Sequence, residues 1–191
     1  MNTQAIWIKA TPEIGDVCPR FTKSFTLEDS RNSVTKAEVC ASAIGMYFIS
    51  VNGNRVGCDL FTPGWTSYDT RVQYQRYDVT SLITDGANEI SVTAAKGWAY
   101  GDIGWRRPEH KTNENIAIIL SLTVTYADGR IRTVLTDESW KVYTSQIIYS
   151  ELYDGELIDL TVEGKLLGNA IEFKDKQPQL VEQIGEFVRE Q

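Results

Sequence analysis

Residues able to bind a small polar ligand are concentrated between positions 96 and 111. Trp98, Tyr100 and Trp105 offer flat apolar faces, while Asp102 and Arg106 offer charged groups that form directional hydrogen bonds. Ligand sites combine apolar walls with a few well-placed polar groups. Sugars require this combination, because they present both C–H faces and neighbouring hydroxyls. These five side chains are therefore predicted to bind a sugar. The alternative is that the tryptophan rings fold inward and fix the segment to the domain.

Trp65 is a further aromatic residue with a distinctive setting. It directly follows Pro63-Gly64, a pair that is typical of a loop. We expect its ring to close the edge of the domain, in the core or at the rim, rather than to bind a ligand.

The cysteine and acidic residues give no indication of a metal or cofactor site. Cys18, Cys40 and Cys58 are odd in number and lack the spacing of metal ligands. Free thiols in a reducing compartment are the favoured interpretation, and a disulfide or a zinc site is the alternative. No acidic loop has the spacing of a calcium site. The sequence thus predicts neither a cofactor nor a metal.

Composition and charge disfavour two classes of partner. The formal net charge is −7 and no basic stripe is present, which argues against nucleic-acid binding. No run approaches the ~18 apolar residues of a membrane span. The first ten residues lack the basic region and apolar stretch of a secretory leader. We therefore expect a cytoplasmic location, unless a leader has been removed from the chain.

Segments of period two on either side of tight turns predict the elements that position these residues. Tyr47, Ile49 and Val51 alternate in one such segment, and Asn52-Gly53 follows at once. Both turn residues tolerate the positive φ of a primed hairpin turn. Asp128-Gly129 is the second hairpin signal, and no segment from 1 to 170 shows a sustained helical period. An all-β fold is predicted, namely an antiparallel β-sandwich of the jelly-roll type with little helix.

Nine short motifs occur in a characteristic order between residue 5 and about residue 160. They are AIWI (5–8), VNGNRVG (51–57), PGWTSY (63–68), QYQ (73–75), YDVT (77–80), GW (97–98), GWR (104–106), TDESW (136–140) and YDGE (153–156). As an ordered set they resemble the N-terminal β-sandwich domain of bacterial α-L-rhamnosidases, a galactose-binding-domain-like jelly roll. The resemblance implies a bacterial glycoside hydrolase as the parent protein.

The resemblance does not imply a complete enzyme within these residues. Glycoside hydrolysis normally uses two carboxyl groups that flank the scissile bond. In the family these belong to a separate helical (α/α)-barrel domain further along the parent chain, so no residue here is predicted to be catalytic. Asp154-Gly155-Glu156 is interpreted as a turn with solvated charges, with an interdomain contact as the alternative. After Arg106 the segment RPEHK (107–111) departs from the family pattern.

The predicted organisation is a β-sandwich over residues 1–165 and a C-terminal tail or linker over 166–191. In the family such a tail leads toward the next domain, which is absent from this chain. The apolar residues between Leu180 and Val188 fall at helical spacing, but Gly185 interrupts them, so the secondary structure of the tail is left open.

Two functional hypotheses follow from the residues and the resemblance together. In the first, the domain is an accessory carbohydrate-recognition module that contributes to substrate recognition beside a catalytic domain. In the second, it is a structural interdomain module without sugar contact. The expected partners are a rhamnose-containing glycoside and neighbouring domains of the parent enzyme. A self-contained enzyme is disfavoured, because no catalytic set of residues is visible.

Overall fold

The computed structural model describes residues 1–2, 4–27, 30, 33–102, 115–175, 177–186 and 188–189. These residues form mostly strands, with one short α-helix and two 3-10 turns at Pro12–Ile14 and Thr80–Leu82. In chain order the elements are β1 (Ile8–Lys9), β2 (Pro19–Thr26), β3 (Val34–Ile44), β4 (Met46–Val51), β5 (Asn54–Arg55), β6 (Asp59–Leu60), β7 (Arg71–Asp78), β8 (Ala87–Ala95), α1 (Gly97–Tyr100), β9 (Ala117–Tyr126), β10 (Ile131–Leu135), β11 (Lys141–Thr144), β12 (Ile147–Glu151), β13 (Gly155–Ile158), β14 (Leu166–Asn169), β15 (Ile171–Glu172), β16 (Gln179–Glu182) and β17 (Val188–Arg189).

Two large sheets form the body of the domain. The seven-stranded sheet has the order β15-β1-β9-β3-β7-β16, with β10 also paired to β9. The six-stranded sheet has the order β14-β11-β2-β8-β4-β5. Pairing within both sheets is antiparallel except for β16, which runs parallel to β7. The strands from β2 to β4 and from β7 to β9 change sheet at each step, as in a jelly roll. The predicted all-β sandwich with little helix is confirmed.

The main hydrophobic core fills the space between the sheets. On β4, Tyr47, Ile49 and Val51 are buried while the residues between them are half-exposed, as period two requires. Phe21 and Trp140 are fully buried in the same cluster. Each large apolar side chain buried in this way stabilises the fold by roughly 1.5–3 kcal/mol. The core thus holds the two sheets face to face.

A second hydrophobic cluster covers the outer face of the seven-stranded sheet. Its centre contains Trp7, Ile119 and Phe173, and all three side chains are buried. Tyr100 and Leu180 pack against the same cluster from α1 and from the tail. Because chain segments cover this face, the central strand β9 is buried on both sides through most of its length.

The two predicted hairpin turns are confirmed, with different geometries. At the first turn Val51 pairs with Asn54, and Asn52 and Gly53 have φ of 50° and 78°, as in a type I′ turn. At the second turn the backbone N–H of Gly129 donates to Tyr126 O at 2.9 Å, and Gly129 has φ of 85°. This second loop therefore has three residues and ends in a glycine bulge.

The tail is attached to the sandwich by strands rather than by a helix. β14 pairs with β11, β15 with β1, and β16 with β7. The helical spacing of the tail residues produces no helix among those described, because Leu180 and Val181 follow the strand register of Val72 and Gln73. The division near residue 165 stays a prediction.

The three cysteines are free thiols in the structure. Cys18 and Cys40 are buried and Cys58 is exposed. Burial raises the pKa of Cys18 to about 12, so its thiol stays protonated and unreactive at neutral pH. Among the described residues, no helix is long and apolar enough to cross a membrane.

Candidate functional site

The structure places three of the five residues predicted to bind sugar. Trp98 and Tyr100 lie on α1, and Asp102 follows two residues later. Trp105 and Arg106 fall within 103–114, outside the described residues. The prediction for the complete set of five therefore stays a prediction, and the geometry below concerns the segment up to residue 102.

A glycine starts the segment, because the chain must bend sharply at the end of β8. Gly97 has φ of 50°, and a Cβ at this position would collide with the side chain of Met46 on β4. The backbone N–H of Gly101 then donates to Gly97 O at 2.9 Å and closes a single turn. The tight turn brings Trp98 to the end of the sandwich beside the start of β4.

Three aromatic rings meet at this end, and we call Phe61, Trp65 and Trp98 the aromatic platform. The rings of Trp65 and Trp98 are parallel, with 4° between their planes and 6.4 Å between their centroids. Phe61 is tilted against Trp98 at a centroid distance of 5.9 Å. Trp65 is 67% exposed and Phe61 is 49% exposed. The sequence analysis places the Trp65 ring either in the core or at the rim, and the structure shows that it lies at the rim.

Buried polar contacts hold the loop that carries Phe61 and Trp65. The backbone N–H of Tyr47 donates to Thr62 O at 3.0 Å, and the Thr62 hydroxyl donates to Tyr47 O at 2.6 Å. The buried side chain of Gln75 donates from Nε2 to Pro63 O at 3.2 Å. Phe61 itself has φ of 57°, a conformation that bulky residues rarely adopt. Such a conformation persists only where neighbouring contacts enforce it, and it is commonest at functional sites.

Tyr100 lies below the surface and anchors α1. Its half-buried ring packs against both hydrophobic clusters. Burial, aided by the negative charges of Asp175 and Asp69, raises the pKa of its phenol. The phenol is therefore neutral at physiological pH. A sugar contact of Tyr100 stays a prediction, whereas its packing role is visible in the structure.

Glu151, which sequence reasoning missed, fastens the segment at Asp102. Its Oε1 accepts the backbone N–H of Asp102 at 3.1 Å and that of Leu152 at 2.8 Å. The residue is only 7% exposed, and Gly101 packs so closely that a Cβ there would collide with its carboxylate. The sequence offers no signal for this role beyond the nearness of Glu151 to the YDGE motif. Its carboxylate holds the backbone at Gly101 and Asp102 against the end of β12.

The YDGE motif forms the turn of the β12–β13 hairpin. Gly155 has φ of 84°, and Asp154 and Glu156 are exposed. The phenol of Tyr149 donates to Asp154 Oδ2 at 2.9 Å, and this hydrogen bond raises the pKa of the phenol. The interpretation of Asp154-Gly155-Glu156 as a turn with solvated charges is confirmed. Within the described part of the chain, no group of three or more His, Cys, Asp or Glu side chains could hold a metal ion.

Comparison with known proteins identifies alpha-L-rhamnosidases as relatives. Residues 32–182 match the family model described as the alpha-L-rhamnosidase N-terminal domain. An alpha-L-rhamnosidase of Streptomyces avermitilis is 40% identical over 130 residues, which are 68% of this chain and 12% of that protein. An alpha-L-rhamnosidase of an Alteromonas species is 31% identical over 172 residues, which are 85% of this chain and 18% of that protein.

Solved structures agree with the sequence relatives. The crystal structure of Streptomyces avermitilis alpha-L-rhamnosidase complexed with L-rhamnose matches with a TM-score of 0.81 at 30% identity, over 92% of this chain and 18% of that one. The native Aspergillus terreus enzyme matches with a TM-score of 0.78 at 32% identity, over 90% of this chain and 21% of that one. This chain thus spans only a small part of the proteins that it resembles. It belongs to the family of alpha-L-rhamnosidase N-terminal domains.

Proposed function

We propose that this chain is an accessory carbohydrate-recognition domain of an α-L-rhamnosidase, with catalysis carried by a domain outside its 191 residues. The aromatic platform is the observation that carries this proposal, and it gives Trp65 a ligand-binding role that the sequence analysis disfavoured. Trp65 and Trp98 stack in parallel, and Trp65 leaves two thirds of its surface free. Exposed aromatic surface that is contiguous over neighbouring rings is typical of a site that binds a partner with an apolar face.

The chemistry of the platform suits a deoxysugar ring. An indole face stacks on sugar C–H groups, and the methyl group of rhamnose adds apolar contact area. Asp102 lies two residues beyond α1. The proposal assigns directional contacts to Asp102 and Arg106, and a further apolar contact to Trp105. A site with one open side supports binding in the millimolar range, about −4 kcal/mol. The relatives' activity supports a rhamnose-containing glycoside as the ligand.

The same proposal assigns no hydrolysis to this chain. Retaining and inverting glycosidases place two carboxyl groups on either side of the scissile bond. Among the described acidic residues near the platform, Glu151 is committed to two backbone N–H groups and is buried. We therefore expect no turnover of aryl α-L-rhamnosides by the isolated chain above the uncatalysed rate.

Titration of the chain with methyl α-L-rhamnoside tests the proposal. The indole N–H signals of Trp65 and Trp98 in NMR spectra are expected to shift with a millimolar Kd. Trp65→Ala is expected to weaken binding at least tenfold, because it removes the more exposed ring. Tyr153→Ala is the matched control, since Tyr153 is equally exposed but lies on the β12–β13 hairpin. Equal binding by both folded variants and the unaltered chain would contradict the proposal.

A structural interdomain role is the second candidate, and one observation favours it. The β12–β13 hairpin and the residues after it expose Tyr153, Leu157, Ile158 and Leu160, each by half or more of its surface. Exposed apolar side chains in a row are typical of a surface that another domain covers. Hydrogen exchange on a longer protein containing the next domain distinguishes the two roles. Protection of the hairpin alone leaves the platform free for sugar, whereas protection of both regions supports the purely structural role.

A further inference from the structure

A groove on the outer face of the six-stranded sheet has no role in the site described above. Its cavity volume is roughly 620 Å³, within the range of about 300–1,000 Å³ that small-molecule sites occupy. Its floor consists of outward-facing residues of β2, β8 and β4, and its wall consists of residues 144–147 and 160–164. Two hydrogen bonds hold the wall together. The backbone N–H of Thr144 donates to Lys165 O at 3.0 Å, and the backbone N–H of Lys165 donates to the Thr144 hydroxyl at 2.9 Å.

Strand register makes the floor of the groove a regular surface of hydroxyl groups. Ser50 lies opposite Ser91, and Thr93 lies between Phe48 on one side and Arg20 on the other. Because neighbouring strands are about 4.8 Å apart, these side chains form two short rows. The rows offer hydroxyl donors and acceptors at repeated spacing, with the ring of Phe48 as an apolar patch.

Arg20 is the polar group on the floor whose hydrogen-bonding capacity is incomplete. Its guanidinium lies over the ring of Tyr143, 5.4 Å from the centroid. Its Nε is buried and has no hydrogen-bond partner. Because Nε has almost no accessible surface, a ligand in the groove can meet only the terminal nitrogens of the Arg20 guanidinium. Those nitrogens are charged donors and form strong, directional hydrogen bonds with acceptor oxygens.

The charges around the groove restrict the kind of ligand. Glu89 and Glu163 line it together with Arg20. Two carboxylates beside one guanidinium disfavour an anionic ligand, and each carboxylate accepts hydrogen bonds from hydroxyl groups. Hydroxyl-rich, uncharged molecules satisfy all three groups at once.

We propose that this groove is a second carbohydrate-binding site, which takes a neutral oligosaccharide and uses Arg20 as its directional donor. The groove shares no residue with the aromatic platform, so this inference does not rest on the proposed function of the platform. Ser91 and Thr93 contact the ligand along the floor, and Glu89 and Glu163 accept its hydroxyl hydrogens.

The experiment is an NMR titration of the 191-residue chain with the disaccharide rutinose. Concentrations up to about 50 mM exceed the millimolar Kd expected for an open site. Amide signals of Ser50, Ser91 and Thr93 are expected to shift together. Arg20→Met and Ser91→Leu are each expected to weaken these shifts at least tenfold, because the first removes the donor and the second fills the floor. Digalacturonate, as a charged probe, is expected to bind at least tenfold more weakly.

Trp98→Ala separates this site from the platform, since it is expected to leave the groove shifts unchanged. Thermal unfolding checks that each variant is folded. If both groove variants fail to fold, the positions of the shifted signals in the unaltered chain test the proposal instead. Absence of groove shifts with rutinose overturns the inference. Unchanged binding by folded Arg20→Met and Ser91→Leu, or equal binding of digalacturonate, overturns it as well.

Discussion

The outer faces of the two sheets differ in what covers them. On the seven-stranded sheet, Trp7 and Phe173 from the two ends of the chain bury the outer face together with Ile119. On the six-stranded sheet, the outer face is open at the groove, which is lined by hydroxyl groups and by Arg20. Thr93 on the floor of the groove is only 7% exposed. One face therefore carries a packed apolar cluster, and the other carries the groove.

The composition of the central strands explains this difference. β9 carries apolar residues on both sides, because Ile119 faces outward while Ile118 and Leu120 face the main core. β8 carries Ser91 and Thr93 at its outward positions. An apolar outer face must be covered to stabilise the fold, whereas a polar one gains little from cover.

Truncation of one large side chain on each face tests the comparison most directly. Trp7→Ala is expected to lower the free energy of unfolding by about 3–5 kcal/mol, since it opens a cavity in the covered face. Phe48→Ala, on the open face, is expected to cost about 1 kcal/mol or less. Chemical denaturation of both variants measures the difference. Equal losses would show that the two faces contribute alike.

Glu151 fastens the segment that reaches the covered face through Tyr100. Glu151→Leu leaves the backbone N–H groups of Asp102 and Leu152 without an acceptor and is expected to destabilise the fold by about 1–3 kcal/mol. Glu156→Leu changes an exposed acid on the same hairpin and is expected to stay within about 0.5 kcal/mol. Thermal unfolding of the pair provides the measurement, and a neutral Glu151→Leu would contradict the assigned role.

Two glycines with positive φ distinguish backbone strain from close packing. Gly53→Ala adds a Cβ into open space, so strain alone is expected to cost about 1–2 kcal/mol. Gly97→Ala adds the same strain and a collision with Met46. We expect it to be the more destabilising of the two and to move Trp98 away from Trp65. Indole fluorescence reports the movement of Trp98, and denaturation curves report the loss of stability. Identical results for the two variants would show that the contact with Met46 adds nothing to the backbone strain.

The smallest expected effect concerns Asp78 at the end of β7. Hydrogen bonds from the Thr80 side chain and the Thr80 backbone N–H, at 2.8 Å to Oδ1, hold the pKa of Asp78 below its usual value. Because the folded pKa is lowered, this stabilisation is present above the unfolded pKa of about 3.9 and is lost as the pH falls through the folded pKa. Thr80→Ala is expected to raise the pKa of Asp78 in an NMR titration. Ser81→Ala is expected to leave it unchanged.

Local patterns in the sequence were sufficient to predict the fold class and the turns. Period two in 46–51 and 117–126 reports which side chains face a core, and this information is local because alternate residues of a strand point to opposite faces. Asn52-Gly53 and Asp128-Gly129 predict turns because Asn52, Gly53 and Gly129 adopt a positive φ, which few residues tolerate. The turn at Asp154-Gly155-Glu156 was predictable for the same reason.

Contacts between distant segments were decided only by the tertiary structure. Phe61, Trp65 and Trp98 lie up to 37 positions apart in the sequence, and no local period relates them. Glu151 reaches Asp102 across 49 positions, and the tail strand β16 pairs with β7 against its own helical spacing. The groove depends on the register of β2, β8 and β4, which the chain establishes only when the sheet forms. Local sequence therefore determined the elements of this protein, and their packing determined where its candidate binding surfaces lie.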